Sequence, residues 1–335
     1  MLKSCGLDEF GRIAQWLKNK RRSRVLILQY HRVADDIRDP HALCVSRQHF
    51  SEHLEVLRQR CHPISLQKLV KAIQDRNLPK RAVVITFDDG YADNFYNAKP
   101  ILERYDIPAT IFVVTGHIGT RQEFWWDELE VLLESKARLG LLCLEIAGKV
   151  YKWRLGGLCQ ARSILNARMQ QNLYRSLYRL LRPLSEDERQ RVLRQLRQSS
   201  NKQLLEYSVR RVVSKDELFN LANGNLVEIG AHTVTHPVLS MLPLTDQRRE
   251  IQESKIYLEN VLGRPVTSFA YPFGLPSDYT AETVAVVQEA KFDCACSSSV
   301  GPVWQDSNLF ELPRVPILDW NGDIFTWILK WWSCA

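Results

Sequence analysis

Two stretches of the chain carry side chains able to do chemistry. The first, VVITFDDGYADN at Val83 to Asn94, ends a short apolar run in two adjacent carboxylates, Asp88 and Asp89, beside Gly90. The second is His232-Thr-Val-Thr-His236, which follows the run LVEI and a Gly-Ala pair. A carboxylate at the end of an apolar strand loses its hydration unless a cation or donors meet it, so two together point beyond packing. One reading gives one acid to a metal and the other to a proton taken from water; the plainer one is an Asp-Gly turn. The two imidazoles have metal-ligand spacing. Because His236 precedes Pro237, a tight loop rather than a helix is expected to present them.

The elements that must position these groups alternate along the chain. Val83 to Phe87 reads as a strand buried on both faces, and Ala92 to Tyr105 as the helix returning from it. Before them come the strand VLILQY, ending at His31, and helices over Phe50 to Arg60 and Ser65 to Asp75, the second capped by Ser65. A third strand runs from Ala109 to Val114. The pattern breaks between about Thr120 and Asn223, a helical region opening with FWWDELEVLLE at Phe124 to Glu134. Within it a hairpin around Gly148 fits Leu142 to Leu155, and Ser185 with Glu188 makes a capping box. Strands resume at Leu226 to Ile229, Ser268 to Tyr271, Asp293 to Ser297 and Leu312 to Ile317. Helices lie between them at Asp246 to Leu262, with Thr245 as N-cap, and Tyr279 to Lys291. Such alternation predicts a parallel α/β sheet, either a barrel or an open doubly wound sheet.

At 335 residues and 45% hydrophobic content the chain can bury a large core. Its charge of +7 is concentrated: residues 151–213 hold 14 Lys and Arg against 4 Asp and Glu. That stretch reads as a solvated helical face or as a site for an anionic glycan, a phosphorylated lipid carrier or a membrane surface. No nucleic-acid module accompanies it, so nucleic acid is not expected as a partner. The eight cysteines are scattered without metal or redox spacing and read as reduced thiols of a cytoplasmic protein. No signal-peptide pattern opens the chain, and no run approaches the ~18 apolar residues of a spanning helix. Amphipathic stripes at Leu7 to Arg22 and Phe325 to Trp332 suit peripheral membrane contact, although core packing is the commoner fate of such stripes.

With TFDDGYADN, GAHTVTH and FAYPFG in this order, the chain resembles the polysaccharide deacetylases, metal-dependent carbohydrate esterases with a NodB-type homology domain. The resemblance covers roughly residues 25–119 and 226–317. It implies that Asp88 is the general base and that Asp89, His232 and His236 hold a divalent metal, usually zinc. It also implies that the backbone N–H of Phe273 helps hold the oxyanion. Two positions depart from the family pattern. Ala270 stands where an Arg usually orients the catalytic acid, and Arg314 in LPRVPI is the candidate substitute. All eight histidines lie at or before His236, so the family's C-terminal proton donor is missing, and His31 is the best replacement. In a closed barrel the first and last strands are neighbours, which would bring it to the site.

The expected fold is therefore a distorted (β/α) barrel of about seven parallel strands. Residues 25–119 and 226–320 would form it, 120–225 an Arg-rich helical insertion, 1–24 a helical arm and 321–335 an aromatic tail. The expected activity is removal of N-acetyl groups from amino sugars of a polysaccharide or a lipid-linked or nucleotide-linked precursor, at the inner face of the membrane, with Trp125 and Trp126 of the insertion shaping a sugar platform. A glycan-binding protein that has lost catalysis is the alternative. An iron oxygenase, which also uses two His and a carboxylate, lacks its usual His-x-carboxylate spacing here.

Overall fold

The structure is a computed structural model that describes residues 23–35, 39–134, 141–154, 167–198 and 210–332. The arm expected over residues 1–24 and the stripe from Leu7 to Arg22 thus lie almost wholly outside the described residues.

Seven parallel strands close into a barrel: β1 (Leu26–Tyr30), β2 (Ala82–Phe87), β3 (Ala109–Val113), β4 (Val227–Ala231), β5 (Ser268–Ala270), β6 (Cys294–Val300) and β7 (Leu312–Pro316). Sequential strands are neighbours, and β1 closes the ring by pairing with β2 on one side and β7 on the other. The distortion lies at two seams. Strands β4 and β5 meet at a single residue pair, Ala231 with Phe269, and the β6–β7 register shifts between Cys296 and Val300.

Side chains alternate along each strand, so one set fills the barrel and the other packs under the helices. Leu26, Leu28, Val83, Ile85, Ile111 and Val113 belong to the large outer cluster. Val25, Ile27, Val84, Phe112, Cys294 and Cys296 share the inner one with Leu66, Leu69, Val70 and Ile73 of helix Leu66–Gln74. That helix, capped by Ser65 as expected, therefore plugs the barrel instead of flanking it. Near the C-terminal ends of the strands the inner face turns polar at Gln29, Thr86 and Arg314, all buried.

One local reading gains a feature and two change. The expected helix from Ala92 to Tyr105 forms, but with a π-turn at Asn94–Ala98 ahead of Lys99–Tyr105, while Asn94 and Asn97 donate to the carbonyls of His31 and Val33. A π-turn of this kind inside a helix is frequent at functional sites. Helix Leu244–Leu262 begins before Thr245, because the Pro243 carbonyl already accepts from Asp246 and Gln247. Trp125 and Trp126 are 4% exposed, so they are packing residues and form no open platform.

The region between β3 and β4 holds helices α1 (Trp125–Glu134), α2 (Ala167–Leu181), α3 (Glu186–Gln198) and α4 (Lys215–Leu221), with a hairpin of Leu141–Ile146 against Lys149–Arg154. Much of its positive charge is neutralised within the protein. Arg182 pairs with Asp278, Arg189 with Glu186, Arg197 with Glu128, Arg210 with Glu130 and Arg211 with Glu217. The region is also tied to the strand ends: Val213 N–H donates to the Gly90 carbonyl and Ala92 N–H to the Arg211 carbonyl.

The C-terminal helix Gly322–Trp331 buries Phe325 and Leu329 but leaves Ile324, Trp327 and Trp331 exposed. No described helix is long and apolar enough to cross a membrane. The five described cysteines, Cys44, Cys61, Cys143, Cys294 and Cys296, are free thiols.

Candidate active site

The C-terminal ends of the barrel strands bring the two sequence motifs together in a cavity of about 170 Å³. Asp88 and Asp89 leave β2, His232 and His236 follow β4, Phe273 follows β5, and His31 follows β1.

Asp89, His232 and His236 each present one ligand atom, all within 4.8 Å of one another. Nε2 of His232 lies 3.6 Å from Asp89 Oδ1, and Nε2 of His236 lies 3.4 Å from it. These gaps are long for hydrogen bonds. Two donors bound at ~2.0–2.1 Å in a tetrahedral set stand about 3.4 Å apart, so they fit ligands sharing one ion. The protonation states agree. Nδ1 of His232 donates to the Ala270 carbonyl at 2.7 Å, which leaves the Nε2 lone pair facing Asp89. Burial lowers the pKa of both imidazoles and keeps them neutral. The Nδ1 of His236 is buried without a partner, so a cation at Nε2 would be that ring's polar contact. Burial, and then the charge of Asp88, pushes Asp89 well above the carboxylate range, which a cation would reverse. The donor set, one carboxylate and two imidazoles, suits zinc or a similar divalent ion.

Asp88 has a different environment. Arg314 meets it through two parallel bonds, Nη1 to Oδ1 at 2.7 Å and Nη2 to Oδ2 at 2.8 Å, and Gln29 adds a third to Oδ2 at 2.8 Å. Arg314 is itself fixed by the carbonyl of Ser297 and the hydroxyl of Thr86. Burial alone would raise this carboxyl, but the guanidinium outweighs it and holds Asp88 well below the usual range. Two adjacent acids thus have opposite tendencies. Each carboxylate oxygen accepts about two bonds, so Oδ1 retains a free lone pair.

His31 Nε2 stands 3.9 Å from Asp88 Oδ2, at the rim of the cavity. Burial, with Arg314 adding to it, lowers its pKa to about 4 against the opposing pull of Asp88. The ring of Phe273 packs 4.7 Å from that of His236, and the Phe273 N–H donates to no group among the described residues. Every candidate residue predicted from the sequence is therefore in or beside one cavity.

The backbone here is strained. Asp89, Thr233, His236 and Phe273 all have positive φ, between 56° and 71°. Such conformations cost roughly 1–3 kcal/mol each and persist only when the surroundings enforce them. Glu250 enforces the His loop: its carboxylate accepts from the N–H groups of Val234 and Thr235, each at 2.8 Å, and from the Thr235 hydroxyl at 2.7 Å. At Gly90, also at positive φ, a Cβ would come within 2.8 Å of Val113.

Four residues of the site escaped the sequence reading. Gln29 carried a signal, as the lone polar side chain of VLILQY. Glu250, His41 and Tyr178 carried none, because tertiary packing alone brings them in. His41 bonds the Tyr174 hydroxyl at 2.6 Å and packs at a tilt on Tyr178, and His41, Tyr178 and Trp126 wall the cavity from the insertion side.

The family model described as polysaccharide deacetylase matches residues 75–141 and 189–295. The poly-beta-1,6-N-acetyl-D-glucosamine N-deacetylase of Staphylococcus epidermidis is 34% identical over 112 residues, covering 30% of this chain and 39% of that protein. The matches thus span about two fifths of the length of the first curated relatives. Among solved structures, IcaB from Ammonifex degensii superposes with a TM-score of 0.60 at 18% identity, covering 93% of this chain and 98% of that one. The Streptococcus pyogenes deacetylase PplD, in complex with acetate, gives 0.56 at 18% identity, covering 90% and 96%. At such identities the likeness shows a shared fold. The sequence match spans more than half of the residues and includes the turn of Asp88 and Asp89 and the His loop, and on that ground the chain belongs to the polysaccharide deacetylase family.

Proposed function

We propose that this protein hydrolyses N-acetyl groups from amino sugars of a glycan, with a divalent metal held by Asp89, His232 and His236. The observation that carries the reading is the opposed pair of acids: Asp88 clamped as an anion by Arg314, and Asp89 facing two neutral imidazoles. When bound, the ion would polarise the acetyl carbonyl and acidify water.

The side chains then have separate tasks. Asp88 Oδ1, with one lone pair free, accepts the proton of the attacking water. The N–H of Phe273 donates to the oxygen of the tetrahedral intermediate, which its unpaired state and fixed positive φ prepare it to do. His31, beside Asp88, relays to the leaving nitrogen the proton that Asp88 has taken from water as the C–N bond breaks, giving a free amine and acetate. Trp126 and Tyr178 wall the cavity and exclude water, and the partly exposed Tyr178 offers its ring to the sugar.

The test is acetate release with zinc supplied, beginning with poly-beta-1,6-N-acetyl-D-glucosamine fragments, the material named for the Staphylococcus relative. Wild type releases acetate, and Asp88→Asn does so ~10²–10⁴-fold more slowly while holding the same metal. Equal rates would remove Asp88 from the mechanism.

A further inference from the structure

A second cavity, about 530 Å³, lies between the hairpin of the insertion and helix α2. We infer that it binds an anionic segment of a glycan. The hairpin buries Leu142, Leu144 and Ile146 on its inward face. Cross-strand pairing puts Trp153 opposite Leu142 and Tyr151 opposite Leu144, so both rings point the same way, yet they remain half-buried. Their planes are nearly parallel, 17° apart with centroids at 5.8 Å. A stacked aromatic pair in a concave wall suits the apolar face of a pyranose ring.

The opposite wall supplies charge. Arg175 and Arg179 of α2, with Lys152 of the hairpin, line the cavity, and no carboxylate lines it. Among the described residues these three cations make no salt bridge, whereas Arg182, Arg189, Arg197, Arg210 and Arg211 are all ion-paired. Guanidinium groups recognise carboxylate or phosphate through paired N–H bonds, and Asn172 adds an amide for sugar hydroxyls. Uronate and sugar phosphate share this chemistry.

The position links the cavity to the catalytic one. Tyr174 and Tyr178 face the catalytic side of α2, and Arg175 and Arg179 follow one residue later, about 100° around the same helix. One glycan can therefore place an acetamido sugar against Asp88 and a charged sugar against Arg175 across the width of one helix, ~10–12 Å. This bridging rests on the hydrolase reading; binding in the second cavity does not.

The test has two arms. Calorimetry on the full chain carrying Asp88→Asn compares a tetrasaccharide alternating glucuronate with N-acetylglucosamine, a phosphorylated N-acetylglucosamine tetramer and the neutral tetramer. Either acidic ligand is expected to bind at least tenfold more tightly than the neutral one; the tighter of the two identifies the anion. Adding Arg175→Gln with Arg179→Gln abolishes that preference and leaves neutral binding unchanged. Adding Trp153→Ala instead weakens all three. Equal affinities, or a preference that survives the double arginine change, overturns the inference, as does tighter binding of a single-stranded oligonucleotide or an anionic lipid vesicle.

The second arm measures turnover on an otherwise wild-type background. The double arginine change should raise KM tenfold for the acidic acetylated ligand with kcat unchanged. If no ligand is deacetylated, the hydrolase reading falls and the calorimetry alone decides the site.

Discussion

Arg314 and Asp88 face each other inside the barrel through two parallel bonds of 2.7 and 2.8 Å, although 226 residues separate them in the chain. The pair is buried, with Arg314 0% and Asp88 3% exposed, so its worth lies in the cost of breaking it. Arg314→Ala is expected to lower unfolding stability by about 3–5 kcal/mol in urea titrations and to abolish acetate release. Arg314→Lys restores the charge without the fork, so stability should largely recover while turnover stays at least tenfold down. Full activity in the lysine variant would show that charge alone suffices.

His31 is predicted to act on the leaving group and not on the metal. His31→Gln keeps a polar side chain of similar reach, and its kcat should fall ~10²–10⁴-fold while zinc content by mass spectrometry and KM stay near wild type. Loss of zinc in this variant would reassign His31 to the metal site.

Glu250 touches no expected reacting atom, yet it holds the backbone between the two histidines. Glu250→Ala orphans the N–H groups of Val234 and Thr235, an expected loss of about 1–3 kcal/mol, and loosens the strained loop. Zinc affinity should drop ~10–100-fold, and Glu250→Gln, whose amide oxygen still accepts, should recover part of it. Unchanged affinity in the alanine variant would mean the loop holds its shape without Glu250.

A pH dependence follows from Glu217, the N3 residue of the capping box of α4. Bonds from Arg211 hold its carboxyl down from 4.5 to about 2. A depressed folded pKa contributes stability that is complete above the unfolded value near 4.5 and disappears as pH falls toward 2. Thermal melts should lose stability across that window, and Glu217→Gln should flatten the loss while melting lower at neutral pH. Parallel curves for the two proteins would exclude Glu217 as the source.

What could be read from the sequence followed local chemistry. Asp88 with Asp89, and His232 with His236, sit close enough in the chain for spacing alone to mark them. The placing of His31 relied on barrel closure, and the pairing of β1 with β7 supplies that neighbourhood. Thr245 reads as a cap because a threonine before a periodic run looks like one, whereas Pro243 starts the helix earlier. Trp125 and Trp126 read as a platform because aromatic residues invite that reading; Trp125 is covered by Tyr178 and Arg189 and Trp126 by His236 and Phe273, all distant in the chain. Glu250 and His41 act through contacts that no local pattern announces.

The two backbone bonds joining Gly90 and Ala92 to residues 211 and 213 bear on how the molecule can be shortened. Excising everything between β3 and β4 would release the turn that carries both acids. A trimmed version has to keep 210–225 as a brace, with its splice made upstream of Arg210. Transplanting a foreign loop into this region meets the same boundary.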